Sequence, residues 1–311
     1  MPIQVGISLV LVVLLLLFAS LSPATFFSAR IYISYASTIP FTAILAIGLT
    51  MLVIAGELDL SFPAVMAFSG LVFTDIFIAT GSPLLAFCGG LLTGGGAGLI
   101  NGLVVVRIGV PAIIATIGTQ FFWRGLSALM ADGLARSIPS VRETWLHHLL
   151  VGRIGSLIPA QALWCLALAA LMGLLLNRHV FGDKVLFIGD DITVAKRMGI
   201  NTDRVRIALF VMMGAFSALV AMMVCMEMAN WWPTQGEGYM LLVFASIFIG
   251  GTSVFGGTGT MYGTLIGAIV IGIIEAGIIS AGLSGFWTRL VHGFLIVASV
   301  SLYSLYLKKR R

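Results

Sequence analysis

The sequence predicts an all-α protein that crosses a membrane about ten times, with a candidate inverted five-plus-five repeat, and three observations predict it. Of 311 residues, 59% are hydrophobic and 9% charged, against about 25% charged in a soluble domain. No soluble fold of this length could hide so much apolar surface. The 37 glycines are scattered through apolar runs, as in transmembrane helices whose backbones approach closely. Finally, the chain divides into apolar runs near the ~20 residues that a bilayer-spanning helix needs.

Ten candidate spans follow: 3–21, 32–54, 62–80, 83–106, 110–131, 156–176, 207–228, 239–251, 260–281 and 287–306. The first lacks a basic leader and a cleavage site, so it reads as a retained helix. Arg107, Pro111 and Arg124 interrupt 107–125, leaving open whether that stretch is re-entrant, as for 55–61. The eighth is short and ends at Gly250-Gly251. Cys88, Cys165 and Cys225 all sit in apolar runs and read as small core residues; no metal cluster, cofactor motif or nucleic-acid site is expected.

Basic residues orient the chain. Arg107, Arg178, Lys184, Lys196, Arg197, Arg204, Arg206 and Lys308 to Arg311 make eleven on one side, against five (Arg30, Arg136, Arg142, Arg153, Arg289) on the other. Arg124 lies near the outer edge. This places both termini and loop 177–206 in the cytoplasm, with the stretch 132–155 outside. A single membrane domain covers 1–311, with repeat halves 1–131 and 156–306. Gly94, Gly98 and Gly102 share a four-residue period with Gly259, Gly263 and Gly267, five spans apart. Each series starts one span after a Gly-Glu pair, Gly56-Glu57 and Gly236-Glu237. An odd number of spans per copy inverts the second copy; a chance likeness between two glycine-rich helices is the plainer alternative.

Glu57, Asp59 and Ser61 stand between two apolar spans. They line a wet path or cap the third span, with Asp59 or Ser61 at the cap and Pro63 in the first turn. Asn101, Thr116 and Gln120 are polar residues near span centres, and Glu275 is an acid inside the ninth span, so they join the pathway candidates, with polar ties between neighbouring helices as the plainer alternative. Glu227, Asp75 and His292 also lie at or near membrane depth. The glycine-rich run 250–260 breaks helix geometry at a wet edge or inside protein; it lacks the Lys-Ser/Thr of a nucleotide loop. In loop 177–206, Asp191 to Gly199 reads as a short amphipathic helix. Ile192, Ala195 and Met198 form its apolar side, Lys196 and Arg197 its polar side, Asp190 its cap, and Gly199 its end. Such a helix outside the membrane suits docking to a soluble partner.

Three segments resemble permease subunits of ribose-, xylose- and galactose-type ABC importers, which include autoinducer transporters. They are Gly56-Glu-Leu-Asp-Leu-Ser61, then Ile188-Gly-Asp-Asp with Val194-Ala-Lys-Arg-Met-Gly-Ile200, and Gly250-Gly-Thr-Ser through Ala268. Val110 to Thr119 and Phe122 to Gly125 also fit. The resemblance spans about residues 35 to 300. It implies a periplasmic sugar-binding protein, a second permease copy or paralogue, and a cytoplasmic ABC ATPase that contacts 190–199 and hydrolyses ATP. It also implies a multi-pass protein of the bacterial inner membrane that moves a sugar or sugar-like solute by alternating access and has no ATPase site of its own. Departures are Glu57 for the family's Gly, Asp190-Asp191 for Gly-Asn, and Glu275-Ala-Gly for an Asn-Gly-Leu-like run. From the residues alone, a self-contained proton- or sodium-coupled transporter is the alternative.

Overall fold

A computed structural model describes residues 3–155, 157–280 and 282–310, with 3, 299, 300 and 302–310 described by backbone only. The C-terminal basic run from Lys308 to Arg311 therefore lies outside the residues described in full. The helices are α1 Ile3–Leu21, α2 Pro23–Phe26, α3 Ala29–Ile54, α4 Phe62–Thr80, α5 Pro83–Leu103, α6 Ala112–Met130, α7 Trp145–Leu150 and α8 Ala160–Arg178. They continue as α9 Val180–Asp190, α10 Ile192–Arg197, α11 Thr202–Met228, α12 Tyr239–Ile249, α13 Met261–Ser280 and α14 Phe286–Arg310. Two-residue strands form two small antiparallel pairs: Arg136–Ser137 with Asn230–Trp231, and Arg153–Ile154 with Ile158–Pro159.

Each expected span falls on a helix. Seven helices among the described residues are long and apolar enough to cross a membrane; α12 and the apolar part of α14, Phe286–Ala298, are shorter. This is a multi-pass all-α membrane protein. The stretch 107–125 is mostly one continuous helix. A π-turn at Val104–Ile108 ends α5, Gly109 turns at φ 88°, and α6 then runs unbroken.

The helices form two compact units, each discontinuous in sequence. One holds Met1–Gly56, Cys165–Asp190 and Leu241–Arg311; the other holds Glu57–Trp164 and Asp191–Met240. In the first unit, α13 packs on α3 and α1. The hydroxyls of Thr50 and Thr264 join α3 to α13 at 2.8 Å, a polar tie between apolar helices. A Cβ on Gly263 or Gly267 would strike the carbonyls of Gly250 or Ser246, so these glycines set how closely the two segments approach. Val270, Ile274 and Ile278 face Leu11, Leu14 and Phe18 of α1.

In the second unit, α5 lies in a groove of α11 and also contacts α4. Gly94 and Gly98 touch the backbone of Gly214 and Phe210, and Gly102 approaches Ile207. The four-residue period thus puts a flat stripe on α5 against a long helix, as small residues do in membranes.

The link from α11 to α12 does not stay at the helix end. The indole N–H of Trp231 donates to the Ala67 carbonyl at 2.8 Å, and the Gln235 amide donates to the Ala221 carbonyl at 2.9 Å. Ala221 lies seven residues back along α11, about 10 Å at 1.5 Å per residue. Gly236 then abuts the Pro63 carbonyl. Residues 230–238 therefore fold back along α4 and α11, and α12 starts from an inner position with only 11 residues.

Candidate functional site

The segment between α3 and α4 carries the first cluster. Gly56 turns the chain at φ 81°, a conformation that favours glycine. Asp59 is 1% exposed and Ser61 and Asn101 are fully buried. Asp59 Oδ1 accepts the Ser61 amide at 2.7 Å and the Ser61 hydroxyl at 2.6 Å. Ser61 in turn accepts from the Asn101 side-chain amide at 2.7 Å. Ser61 is the N-terminal boundary residue of α4, yet its side chain makes no capping bond; Asp59 receives its amide instead. Burial raises the Asp59 pKa, while bonds from Ser61, Asn101 and the Phe62 amide oppose that rise. Asn101 Oδ1 has no partner.

Glu57 is answered by Arg206, which enters from the first turns of α11. Arg206 Nε donates to Glu57 Oε1 at 2.7 Å, and Nη2 closes on the same oxygen. Burial raises the Glu57 pKa and Arg206 opposes the rise. Sequence reasoning counted Arg206 only as a charge that orients the chain; its partnership with Glu57 joins residues 149 positions apart and leaves no local pattern.

Arg124 was also missed as a site residue. Its guanidinium donates to the carbonyls of Pro233 at 2.7 Å, Gln235 at 2.8 Å and Pro63 at 3.2 Å. It thereby holds the returning segment 230–238 against the start of α4. A basic residue inside an apolar run was the available signal. Thr116 and Gln120 precede Arg124 at four-residue steps on α6. Thr116 spends its hydroxyl on the Ala112 carbonyl at 2.7 Å, and Gln120 is part-exposed.

The segment 190–199 departs from expectation in two ways. The helix is Ile192–Arg197, and its cap is Asp191, not Asp190, which ends α9. Asp191 accepts the amides of Thr193 and Val194 at 2.7 and 3.1 Å. The Val194 and Thr193 amides hold its carboxyl below the usual range, so its capping is present above the unfolded pKa and fades as pH falls through the folded one. Ala195, expected on the docking face, is 1% exposed; Val194 and Met198 are 48% and 58% exposed. Ala195 is the one residue of this six-residue helix that packing has buried. Gly199 breaks the chain at φ 81°, and Asn201 caps α11 by accepting the Arg204 amide at 3.1 Å.

Glu275 belongs to the other unit and joins none of these. It lines a cavity of about 240 Å³ among α3, α12 and α13, with Ser34, Tyr35, Thr38 and Thr42 opposite. Of the packing glycines, Gly259 precedes α13 and sits against Ile54 and Thr252. Asp75 pairs with Arg136 at 3.6 Å.

A protein-family model described as "Branched-chain amino acid transport system / permease component" matches residues 31–300. The Inner membrane ABC transporter permease protein YjfF of Escherichia coli (strain K12) is 31% identical over 288 residues, 89% of this chain and 84% of that protein. The L-arabinose ABC transporter permease protein AraH of Azospirillum brasilense is 28% identical, over 97% of this chain and 88% of its own. The Ribose import permease protein RbsC of Bacillus subtilis (strain 168) is likewise 28% identical, over 96% and 92%. No solved structure matches the chain.

Proposed function

We propose that this chain, which belongs to the branched-chain amino acid transport system permease component family, is the membrane-spanning permease subunit of an ATP-driven importer for a sugar or sugar-like solute. The full-length similarity to permeases named for ribose and L-arabinose supports the solute class. On this reading a cytoplasmic ABC ATPase hydrolyses ATP, a periplasmic sugar-binding protein delivers the solute, and a second copy or paralogue completes the pore. On this reading both termini, Lys184 and α10 lie on the cytoplasmic face of the bacterial inner membrane, which the distribution of basic residues supports.

One observation carries the mechanism: a continuous run of contacts leads from the exposed helix α10 to the buried cluster. Gly199 and the Asn201 cap join α10 to α11, Arg206 of α11 grips Glu57, and Asp59, Ser61 and Asn101 tie that segment to α4 and α5. A push on α10 is thereby passed to α4, α5 and α11 through packed and bonded groups rather than a flexible loop. On this reading transport proceeds by alternating access. Thr116 and Gln120 of α6 remain further pathway candidates on this reading.

The inverted repeat fits the packing. With spans equated five apart, α5 on α11 corresponds to α13 on α3. The two long helices α3 and α11, of 26 and 27 residues, are each followed by a Gly-Glu pair whose glycine has positive φ, Gly56 at 81° and Gly236 at 90°.

The test is docking through the exposed apolar residues of α10. Met198→Arg and Val194→Arg each place a charge where the ATPase would sit, without entering the core. Expression is expected to be unchanged, while ATPase co-purification and transport are lost. Normal co-purification and transport by both variants would overturn the proposal. Ala195→Arg is the folding control, since that residue is buried.

A further inference from the structure

We propose that the cavity among α3, α12 and α13 is a solute site for a small polyhydroxylated molecule bearing a cationic amino group, with Glu275 as its counter-charge. The proposal rests on the importer reading and narrows its solute class.

The two long walls are built by helical spacing. Ser34, Tyr35, Thr38 and Thr42 share one face of α3, and Ala268, Ile271, Gly272, Glu275 and Ala276 share one face of α13. The α3 wall carries these four hydroxyls beside Ile31 and Ile39. The α13 wall is apolar except for Glu275. Leu242 of α12 closes a third side. A mostly apolar cavity with a few convergent polar groups is the usual form of a small-molecule site. Its volume of about 240 Å³ is below the ~300 Å³ at which drug-sized sites begin, so the occupant is small.

The charge is what selects the occupant. Among the described residues Glu275 is the only carboxylate in the lining, and no Lys, Arg or His lines it. The two ion pairs among the described residues, Arg136 with Asp75 and Arg206 with Glu57, lie elsewhere. Glu275 sits 14 residues into α13 and five residues before its end at Ser280, about 7.5 Å from that end at 1.5 Å per residue. No cation among the described residues lines its cavity, so the chain leaves the acid without an internal counter-charge within an apolar helix, where an ionised group is costly. A neutral polyol would bond to it but leave its charge. An ammonium group neutralises it, and charge-assisted bonds are roughly twice as strong as neutral ones. The hydroxyl side is prepared for the rest of the molecule. The Tyr35 hydroxyl is buried without a partner. Thr38 donates to the Ser34 carbonyl at 3.1 Å, leaving its oxygen free to accept.

The probe pair is D-glucosamine and D-glucose, which match in shape and differ in charge. Binding of each radiolabelled compound is measured to the full-length chain in lipid nanodiscs. Glucosamine is expected to bind about tenfold more tightly than glucose, with the difference abolished in Glu275→Gln. Tyr35→Phe should weaken both alike. Equal binding by the wild type, or no binding of either compound, overturns the proposal without reference to any variant. A preference that survives in a folded Glu275→Gln overturns it too. The α10 docking assay does not touch this cavity. If docking fails, the importer reading falls by itself; if docking behaves as expected and glucosamine is not preferred, only this site is wrong.

Discussion

The acids of the two units live under opposite rules. In the unit holding Glu57–Trp164 and Asp191–Met240, Glu57 has Arg206 and Asp59 has Ser61. In the other unit, Glu275 has only apolar residues and uncharged hydroxyls around its cavity. Burial penalises a charged carboxylate in either place. Where the chain supplies the answering group, the acid is structural: it fixes where α4, α5 and α11 meet. Where it supplies none, the acid is available to something that enters. Depth alone does not tell a functional acid from a structural one; the presence of an internal partner does.

The largest expected effect comes from breaking the answered pair. Arg206→Ala strands Glu57, whose side chain is 11% exposed. Losing one partner of a buried pair costs about 3–5 kcal/mol, and this partly exposed pair should fall near about 3. Thermal unfolding in detergent measures it. Adding Glu57→Gln to the same chain should recover much of the loss, because no charge is then stranded. A loss below about 1 kcal/mol would mean the pair is a spectator, and the comparison would weaken accordingly.

Asp59→Asn should come next. It keeps the shape but replaces a charged acceptor with an amide, so the bonds from the Ser61 amide and hydroxyl weaken. Hydrogen bonds to charged groups contribute about 1.5–3 kcal/mol, and with some bonding retained a loss of about 1–2 is expected in the same unfolding assay. Serine at 61 reports on the same network: Ser61→Ala leaves the Asn101 amide without its acceptor. An unchanged unfolding curve for both variants would show that the cluster does not hold α4 to α5.

How much of this was legible in the chain itself depends on whether the governing contact is local. The spans follow from runs of apolar residues, and α5 could be read as a packing helix because its glycines repeat within one helix. The candidate acids could be named because charge is rare in such a composition. Their partners could not. Arg206 and Arg124 act on groups 149 and up to 111 positions away, and sequence spacing carries no trace of that. In the sequence, residues 230–238 are only the gap between the spans 207–228 and 239–251. Only the bonds of Trp231 and Gln235 to α4 and α11 reveal that they fold inward. Asp190 and Asp191 are equally good caps by residue type, and the choice fell to where α9 ends. Ala195 is small and apolar, which suits a docking face and a buried face alike; packing decided.

The smallest expected effect is the most informative, because it tests the unanswered side. Glu275→Gln keeps the side chain's size and its ability to hydrogen-bond, and removes its charge. If Glu275 were a structural acid like Glu57, losing its charge would loosen the contact of α13 with α3, and stability would drop by about 1 kcal/mol or more. The structure gives it no internal cation to lose. Its ionised form is a burden inside an apolar helix, below the roughly 2.5–3.5 kcal/mol of a bilayer centre on insertion scales, because it lies five residues from the end of α13. Glu275→Gln should therefore unfold within about 0.5 kcal/mol of the wild type, or slightly later. Its partner test is Thr264→Val, which removes a hydroxyl bonded to Thr50 on the same α13–α3 contact and should destabilise by about 1 kcal/mol. Agreement between the two would show that α13 is held by Thr264 and its glycines while Glu275 stands free of that task. A clear loss for Glu275→Gln, as large as that of Thr264→Val, would erase the distinction between the two kinds of acid.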